Sequence, residues 1–345
     1  MQLIYYASFV PGMGSIIEKV IRERLTDGVI QKLLDGAVVF KTACSYDKLN
    51  FFCFNNIFAV INIIEKPVPS LALDSHMKQA CALGANPVIT ENNGKIRSFR
   101  IIASRENKPA AVNEKIKADT EKYIAKESGL AVDRARPDTE FWFLYRSEGF
   151  SVFMKRLTRH GSFEKTLHPG ELPLPLAWML CRLSEPLPGD TVCDPFCGYG
   201  SIPSERLTRF PVTCFYAFDI DPKVLNHARN KISAGLQSRG HFEKADFRRL
   251  TALLPPKSID AIITDPPWGF YDKKAFGEGE GEEFYADMVS VFGKVLKSGG
   301  RAVVLTAKTE ILRGALEKEG VFEKKETIPI LLSGKKAVVF VLGRK

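Results

Sequence analysis

From residue 171 onward, short apolar runs alternate with stretches of helical spacing, and three of those runs have an acid at or next to their end. Residues 191–194, 215–220, 259–264 and 301–307 read as strands. Residues 201–210, 222–236, 283–296 and 309–318 read as helices. In the second, Val224, Leu225, Ala228 and Ile232 share one face, and the third ends at Ser298-Gly299-Gly300. Strands alternating with helices predict an α/β fold with a parallel, doubly wound sheet. Two further apolar runs, 325–332 and 336–342, flank Ser333-Gly334 and predict a closing β-hairpin that adds an antiparallel edge.

Four motifs sit at the ends of these strands. Asp194-Pro195-Phe196-Cys197-Gly198-Tyr199-Gly200-Ser201 follows one strand and opens a helix. Glycines there let the backbone approach a ligand, and a helix N-terminus favours anionic groups. Position 203 is Pro, so the dinucleotide fingerprint with its third glycine is missing. A small carboxylate-bearing ligand such as S-adenosylmethionine suits the turn better than a pyrophosphate. Asp219 ends the next strand, 19 residues after Gly200, where an acid binds ribose hydroxyls. Asp221 reads as a helix N-cap. Asp246, in Lys244-Ala245-Asp246-Phe247, is placed to accept from an adenine amino group. Asp265-Pro266-Pro267-Trp268-Gly269 is the most specific of the four. Two prolines make the loop rigid. Asp265 and a proline carbonyl can each accept one hydrogen of an exocyclic amine, turning its lone pair toward a methyl donor. Trp268 can stack on the base.

The first half has an α+β texture. Strands are expected at 3–9, 37–42, 51–64 and 98–104, with helices at 15–25, 71–83 and 111–127. A hairpin is expected from 140–146 and 150–156 around Ser147-Glu148-Gly149. Residues 157–170 are polar and basic, as in a linker. The chain carries a net charge of +9, which suits a polyanionic partner. Residues 1–156 hold +5, the linker +1 and residues 171–345 only +3. Lys155, Arg156, Arg159, His160 and Lys165 form the densest basic run. The N-terminus lacks the pattern of a signal peptide, and no run of about eighteen apolar residues could span a membrane. Seven cysteines without a CxxC pair argue against a disulfide scaffold and a thiolate metal site, and fit a reducing cytoplasm.

In order and content, these four motifs resemble those of class I S-adenosylmethionine-dependent methyltransferases that modify exocyclic amines. The resemblance covers residues 171–345, with a Rossmann-like domain and closing hairpin. Within that class the chain resembles THUMP-domain tRNA (guanine-N2)-methyltransferases. Residues 66–156, notably Phe99-Arg100-Ile101-Ile102-Ala103-Ser104-Arg105, resemble the THUMP module, and residues 1–65 the ferredoxin-like subdomain before it. The resemblance implies a cofactor site of Pro173, Asp194, Phe196, Cys197, Gly198, Gly200, Ser201, Asp219, Ile220, Asp246, Phe247 and Asp265. It implies catalysis by Asp265, Pro266, Pro267 and Trp268, and no metal. Relatives usually carry Ser or Thr where Tyr199 stands and Tyr or Phe where Trp268 stands.

The reaction expected is methyl transfer to the N2 amine of a guanine in tRNA, in the acceptor arm and at position six in the relatives. RNA capture is expected from residues 1–156 and the basic run Lys155, Arg156, Arg159 and Lys165, in a monomer that needs no protein partner. Three alternatives stay open: N2-guanine methylation of 23S ribosomal RNA, N6-adenine methylation, and a non-catalytic RNA-binding protein. The segment 273–283 is Gly-rich and acidic, and is expected to be a mobile loop.

Overall fold

In the computed structural model, residues 2–49, 51–90, 95–106, 108–158, 167–268 and 280–345 are described. The chain divides into two units, one of residues 1–9 and 17–161, the other of residues 10–16 and 162–345.

The first unit is built on one nine-stranded sheet. In chain order it holds β1 (Leu3–Ser8), most of α1 (Gly14–Arg24), β2 (Val29–Leu34), β3 (Ala37–Thr42), β4 (Asn56–Glu65), α2 (Ala72–Ala80) and α3 (Pro87–Thr90). Then come β5 (Ser98–Arg105), β6 (Lys108–Pro109), α4 (Glu114–Ser128), β7 (Ala131–Val132), β8 (Thr139–Arg146) and β9 (Phe150–Arg156). The sheet order is β2-β3-β1-β4-β9-β8-β5-β6, with β7 also on β5. The expected hairpin is β8–β9, in which Phe143 faces Phe153 across the strands. Pairing of β4 with β9 carries the sheet without a break from residue 3 to residue 156. Helix α4 begins at Asn113, whose side chain accepts from the Lys115 and Ile116 amides, and ends at Gly129 in the left-handed region. Its Ile124 packs with Met77, Phe99, Phe141 and Phe143.

The second unit holds α5 (Leu174–Leu183), β10 (Thr191–Asp194), α6 (Ser201–Arg209), β11 (Cys214–Asp219), α7 (Pro222–Lys231), β12 (Gly240–Lys244), α8 (Leu250–Leu253) and β13 (Ile259–Thr264). These are followed by α9 (Glu280–Val295), β14 (Leu296–Thr306), α10 (Thr309–Glu319), β15 (Phe322–Leu332) and β16 (Lys335–Arg344). Its seven strands run β12-β11-β10-β13-β14-β16-β15. The first five are mutually parallel and β16 is antiparallel to both neighbours. Strands buried on both faces read as continuous apolar runs, as Ile262 and Ile263 do here. The β15–β16 turn uses Ser333 and Gly334 at φ +49° and +80°, a two-residue hairpin of the kind that matches strand twist. Strand order reverses between β10 and β13, so a ligand crevice opens at their carboxyl ends.

Some boundaries differ from the sequence expectation. The helix expected over 222–236 stops at Lys231, and residues 234–239 form a tighter 3-10 turn. Glu280, Glu282 and Glu283 belong to α9, not to a loop; residues 273–279 lie outside the described residues. Ser298-Gly299-Gly300 falls inside β14, not at a helix end.

Candidate active site

All four motifs fall at the carboxyl ends of β10, β11, β12 and β13. Asp194 ends β10 and is almost wholly buried. Its Oδ1 accepts from the Phe196 amide at 3.1 Å and the Thr264 hydroxyl at 2.6 Å. Its Oδ2 is buried and has no hydrogen-bond partner among the described residues. Burial pushes the Asp194 carboxyl up to about 7, and Asp219 adds to the push.

The turn after Asp194 is held from both sides. The Cys197 amide donates to the Phe218 carbonyl at 2.9 Å, and the Gly198 amide to Asp219 Oδ2 at 3.0 Å. Gly198 and Gly200 have φ of +51° and +85°. A Cβ on Gly200 would lie 2.7 Å from the Cα of Ala228 on α7, so glycine is required twice over. Ser201 opens α6 and its hydroxyl donates to the Leu172 carbonyl, tying the segment before α5 to the turn. Pro173 is the N-cap residue of α5. Tyr199 stacks on His168 at 4.2 Å, and His227 stands edge-on to both rings.

Asp219 ends β11, with Oδ1 accepting from the Asp221 amide at 2.9 Å. Each carboxylate oxygen therefore keeps room for another donor. Burial raises the Asp219 carboxyl above its usual range. Asp221 caps α7 through the Lys223 amide, as its N-cap reading requires. Ile220 is 67% exposed, an apolar plate next to Asp219. Asp246 caps the following turn through the Arg248 amide. Phe247 is buried and packs on Phe196 and Phe284. Sequence reasoning missed Phe284 and Arg248. Phe284 closes this aromatic trio from α9, and Arg248 bridges Asp246 to Asp287. Only the fold brings α9 to this edge.

Asp265 follows β13. Its Oδ1 accepts from the Trp268 indole N–H at 2.8 Å. Burial of the carboxyl pushes it well above the ordinary carboxylate range; the Trp268 donor opposes this and Asp194 reinforces it. Pro266 is buried and Pro267 exposed. Gly269 lies outside the described residues.

These groups fit S-adenosylmethionine. The unpartnered Asp194 oxygen can accept from an ammonium group, Asp219 has acceptor capacity for a ribose, and the Gly198 face of the turn is open. Asp246 and Ile220 can serve an adenine edge and face.

Of the basic run expected to hold RNA, Lys155 and Arg156 are among the described residues. Lys155 is 5% exposed, and its Nζ donates to the Val88 carbonyl and lies over the Phe141 ring. Most of its surface is buried inside the first unit. Arg156 pairs with the buried Glu140 at 3.1 Å, and that carboxylate also receives Arg100. Arg159 and Lys165 lie outside the described residues. Lys155 and Arg156 border a hollow of about 1360 Å³ whose lining mixes Lys95 with Asp47, Asp138 and Glu140.

A parallel sheet in this order, with a glycine turn, Asp219 and an Asp-Pro-Pro-Trp loop at the crevice, defines the class I methyltransferase fold. The chain belongs to the RMKL-like methyltransferase domain family, whose model matches residues 163–335. It is 32% identical over 225 residues to a tRNA (guanine(6)-N2)-methyltransferase of Thermus thermophilus, covering 64% of this chain and 65% of that one. It is 32% identical over 189 residues to human tRNA (guanine(6)-N(2))-methyltransferase THUMP3, covering 51% and 36%. The chain thus spans less than two thirds of the length of these relatives. The crystal structure of TrmN from Thermus thermophilus superposes with a TM-score of 0.81 at 24% identity, covering 99% of this chain and 100% of that one. That likeness shows the same fold across both units. No helix among the described residues is long and apolar enough to cross a membrane.

Proposed function

We propose that this protein is an RNA guanine-N2-methyltransferase that takes S-adenosylmethionine and acts on tRNA, in the acceptor arm at guanine six. The observation that carries the reading is Asp265, fixed by Trp268 on a proline-locked loop beside the cofactor-type residues Asp194 and Asp219. The likeness to two guanine-6 enzymes of tRNA supports the substrate. N2-guanine methylation of ribosomal RNA and N6-adenine methylation are the alternatives that the experiment below separates. Residues 1–65 are proposed as the ferredoxin-like subdomain, 66–156 as the THUMP-like module that captures RNA, 157–170 as the linker and 171–345 as the catalytic domain. The protein is proposed to work in the cytoplasm as a single chain.

S-adenosylmethionine supplies an activated methyl group on a sulfonium. The chain's residues do the positioning. Asp265 and the Pro266 carbonyl accept the two amine hydrogens, so the nitrogen lone pair is held in line with the methyl group. Proline rigidity keeps both acceptors in place without a reorganisation cost. Trp268 stacks on the extruded base, whose unstacking costs about a few kcal/mol. Because burial holds the Asp265 carboxyl high, transfer should rise with pH as that group ionises.

Purified protein, labelled S-adenosylmethionine and total tRNA test this by nucleoside mass spectrometry. N2-methylguanosine is expected, and Asp265→Ala should lower transfer by at least about 100-fold while S-adenosylhomocysteine still binds. Label in N6-methyladenosine, or transfer to ribosomal RNA alone, would overturn the assignment.

A further inference from the structure

An aromatic ring suffices for stacking on a base, and Phe or Tyr would do it. Trp268 adds an N–H, and it is already committed at 2.8 Å to Asp265 Oδ1. The neighbouring donors are engaged elsewhere: the Thr264 hydroxyl serves Asp194, and the Tyr285 hydroxyl pairs with Thr306 Oγ1. Among the described residues, Trp268 is therefore the single donor on the Asp265 carboxylate. Resting on the methyltransferase reading above, we propose that Trp268 is a positioning residue for Asp265. Its indole N–H fixes one carboxylate oxygen, so that the other is presented to the substrate amine.

Electrostatics gives this bond a second consequence. The groups that face Asp265 are Asp194 at the end of β10, Tyr285 on α9, and Trp268 in its own loop. Asp194 favours the neutral acid; the indole dipole favours the carboxylate. Without the N–H, Asp265 would lose its orientation and ionise at a higher pH. A Phe at 268 keeps the stacking surface and loses both effects.

The test has two independent arms. The chain holds three tryptophans, so protein labelled with ¹⁵N-tryptophan gives three indole signals, and Trp268→Phe identifies one of them. That signal should move with pH as Asp265 titrates, and Asp265→Asn should abolish the movement. In the second arm, methyl transfer to total tRNA is measured for Trp268→Phe and for the protein carrying 3-benzothienylalanine at 268, which matches indole in shape but lacks the N–H. Both should lower kcat about tenfold or more with the Kd for S-adenosylhomocysteine unchanged. The acid limb of kcat/KM should move up by about one pH unit. The proposal is overturned if the indole signal ignores Asp265→Asn, or if both variants keep the wild-type kcat and acid limb. An inactive wild type would instead refute the methyltransferase reading, and the spectroscopic arm would still decide the bond.

Discussion

Asp194→Asn should make the ligand-free protein more stable at pH 8 and less able to bind its cofactor. The side chain is 1% exposed, and one of its oxygens has no partner among the described residues. Its carboxyl is pushed from an ordinary 3.8 up to about 7, so keeping it ionised at pH 8 costs the folded state about 4 kcal/mol. Asparagine keeps an oxygen for the Phe196 amide and Thr264 hydroxyl but buries an unpaired amide, at about 1–3 kcal/mol. A net gain of about 2 kcal/mol remains, or roughly 4–8 °C in Tm for a unit of this size. The sign with pH is fixed. With a folded value above the unfolded one, the wild type loses stability as pH rises from 3.8 through 7. The advantage of the variant must therefore shrink as pH falls, and vanish near pH 5. Thermal melts of both proteins from pH 5 to 8.5, with and without S-adenosylhomocysteine, measure this. A variant that is no more stable at pH 8, or whose advantage does not depend on pH, refutes the idea that Asp194 is a strained charge kept for a ligand.

Other perturbations probe different parts of the molecule. Gly200→Ala forces a left-handed φ on alanine and drives its Cβ to 2.7 Å from Ala228; a loss of about 2–4 kcal/mol and of S-adenosylhomocysteine binding is expected, measured by melting and calorimetry. Asp190 receives both Arg206 and Arg301 at 2.6 Å, and Arg206 is fully buried. Asp190→Ala strands both cations and should cost about 3–5 kcal/mol, whereas Arg206→Leu should cost far less; equal losses in urea unfolding would contradict this. His76 bonds Ser151 at 2.7 Å, its Nε2 has no partner among the described residues, and burial lowers its pKa to about 4. The unfolded chain takes up this proton below pH 6.5 and the folded chain does not, so stability falls between pH 6.5 and 4 by up to about 3 kcal/mol. His76→Asn should flatten that slope in chemical unfolding.

What the sequence determined by itself is the fold of the second unit and the order of its four motifs. Local rules were enough there, because βα units put each acid at a strand end and each glycine where a turn needs positive φ. Asp194, Asp219, Asp246 and Asp265 are spaced along the chain in the order the parallel sheet sets them side by side. The short hairpin at Ser333-Gly334 is equally local. What only the tertiary structure decided depends on partners far away in the chain. Pairing of β4 with β9 and of β5 with β8 merges the first 156 residues into one sheet, and no local pattern encodes such pairing. Lys155 was legible as a positive charge, but its burial under α3 and Phe141 depends on which face of β9 turns inward. Phe284 reaches Phe247 only because α9 packs against the turn after β12. The Trp268–Asp265 bond needs a side-chain rotamer that no spacing prescribes. Periodicity and turn chemistry act over a few residues, while burial, charge balance and side-chain partners are properties of the closed fold.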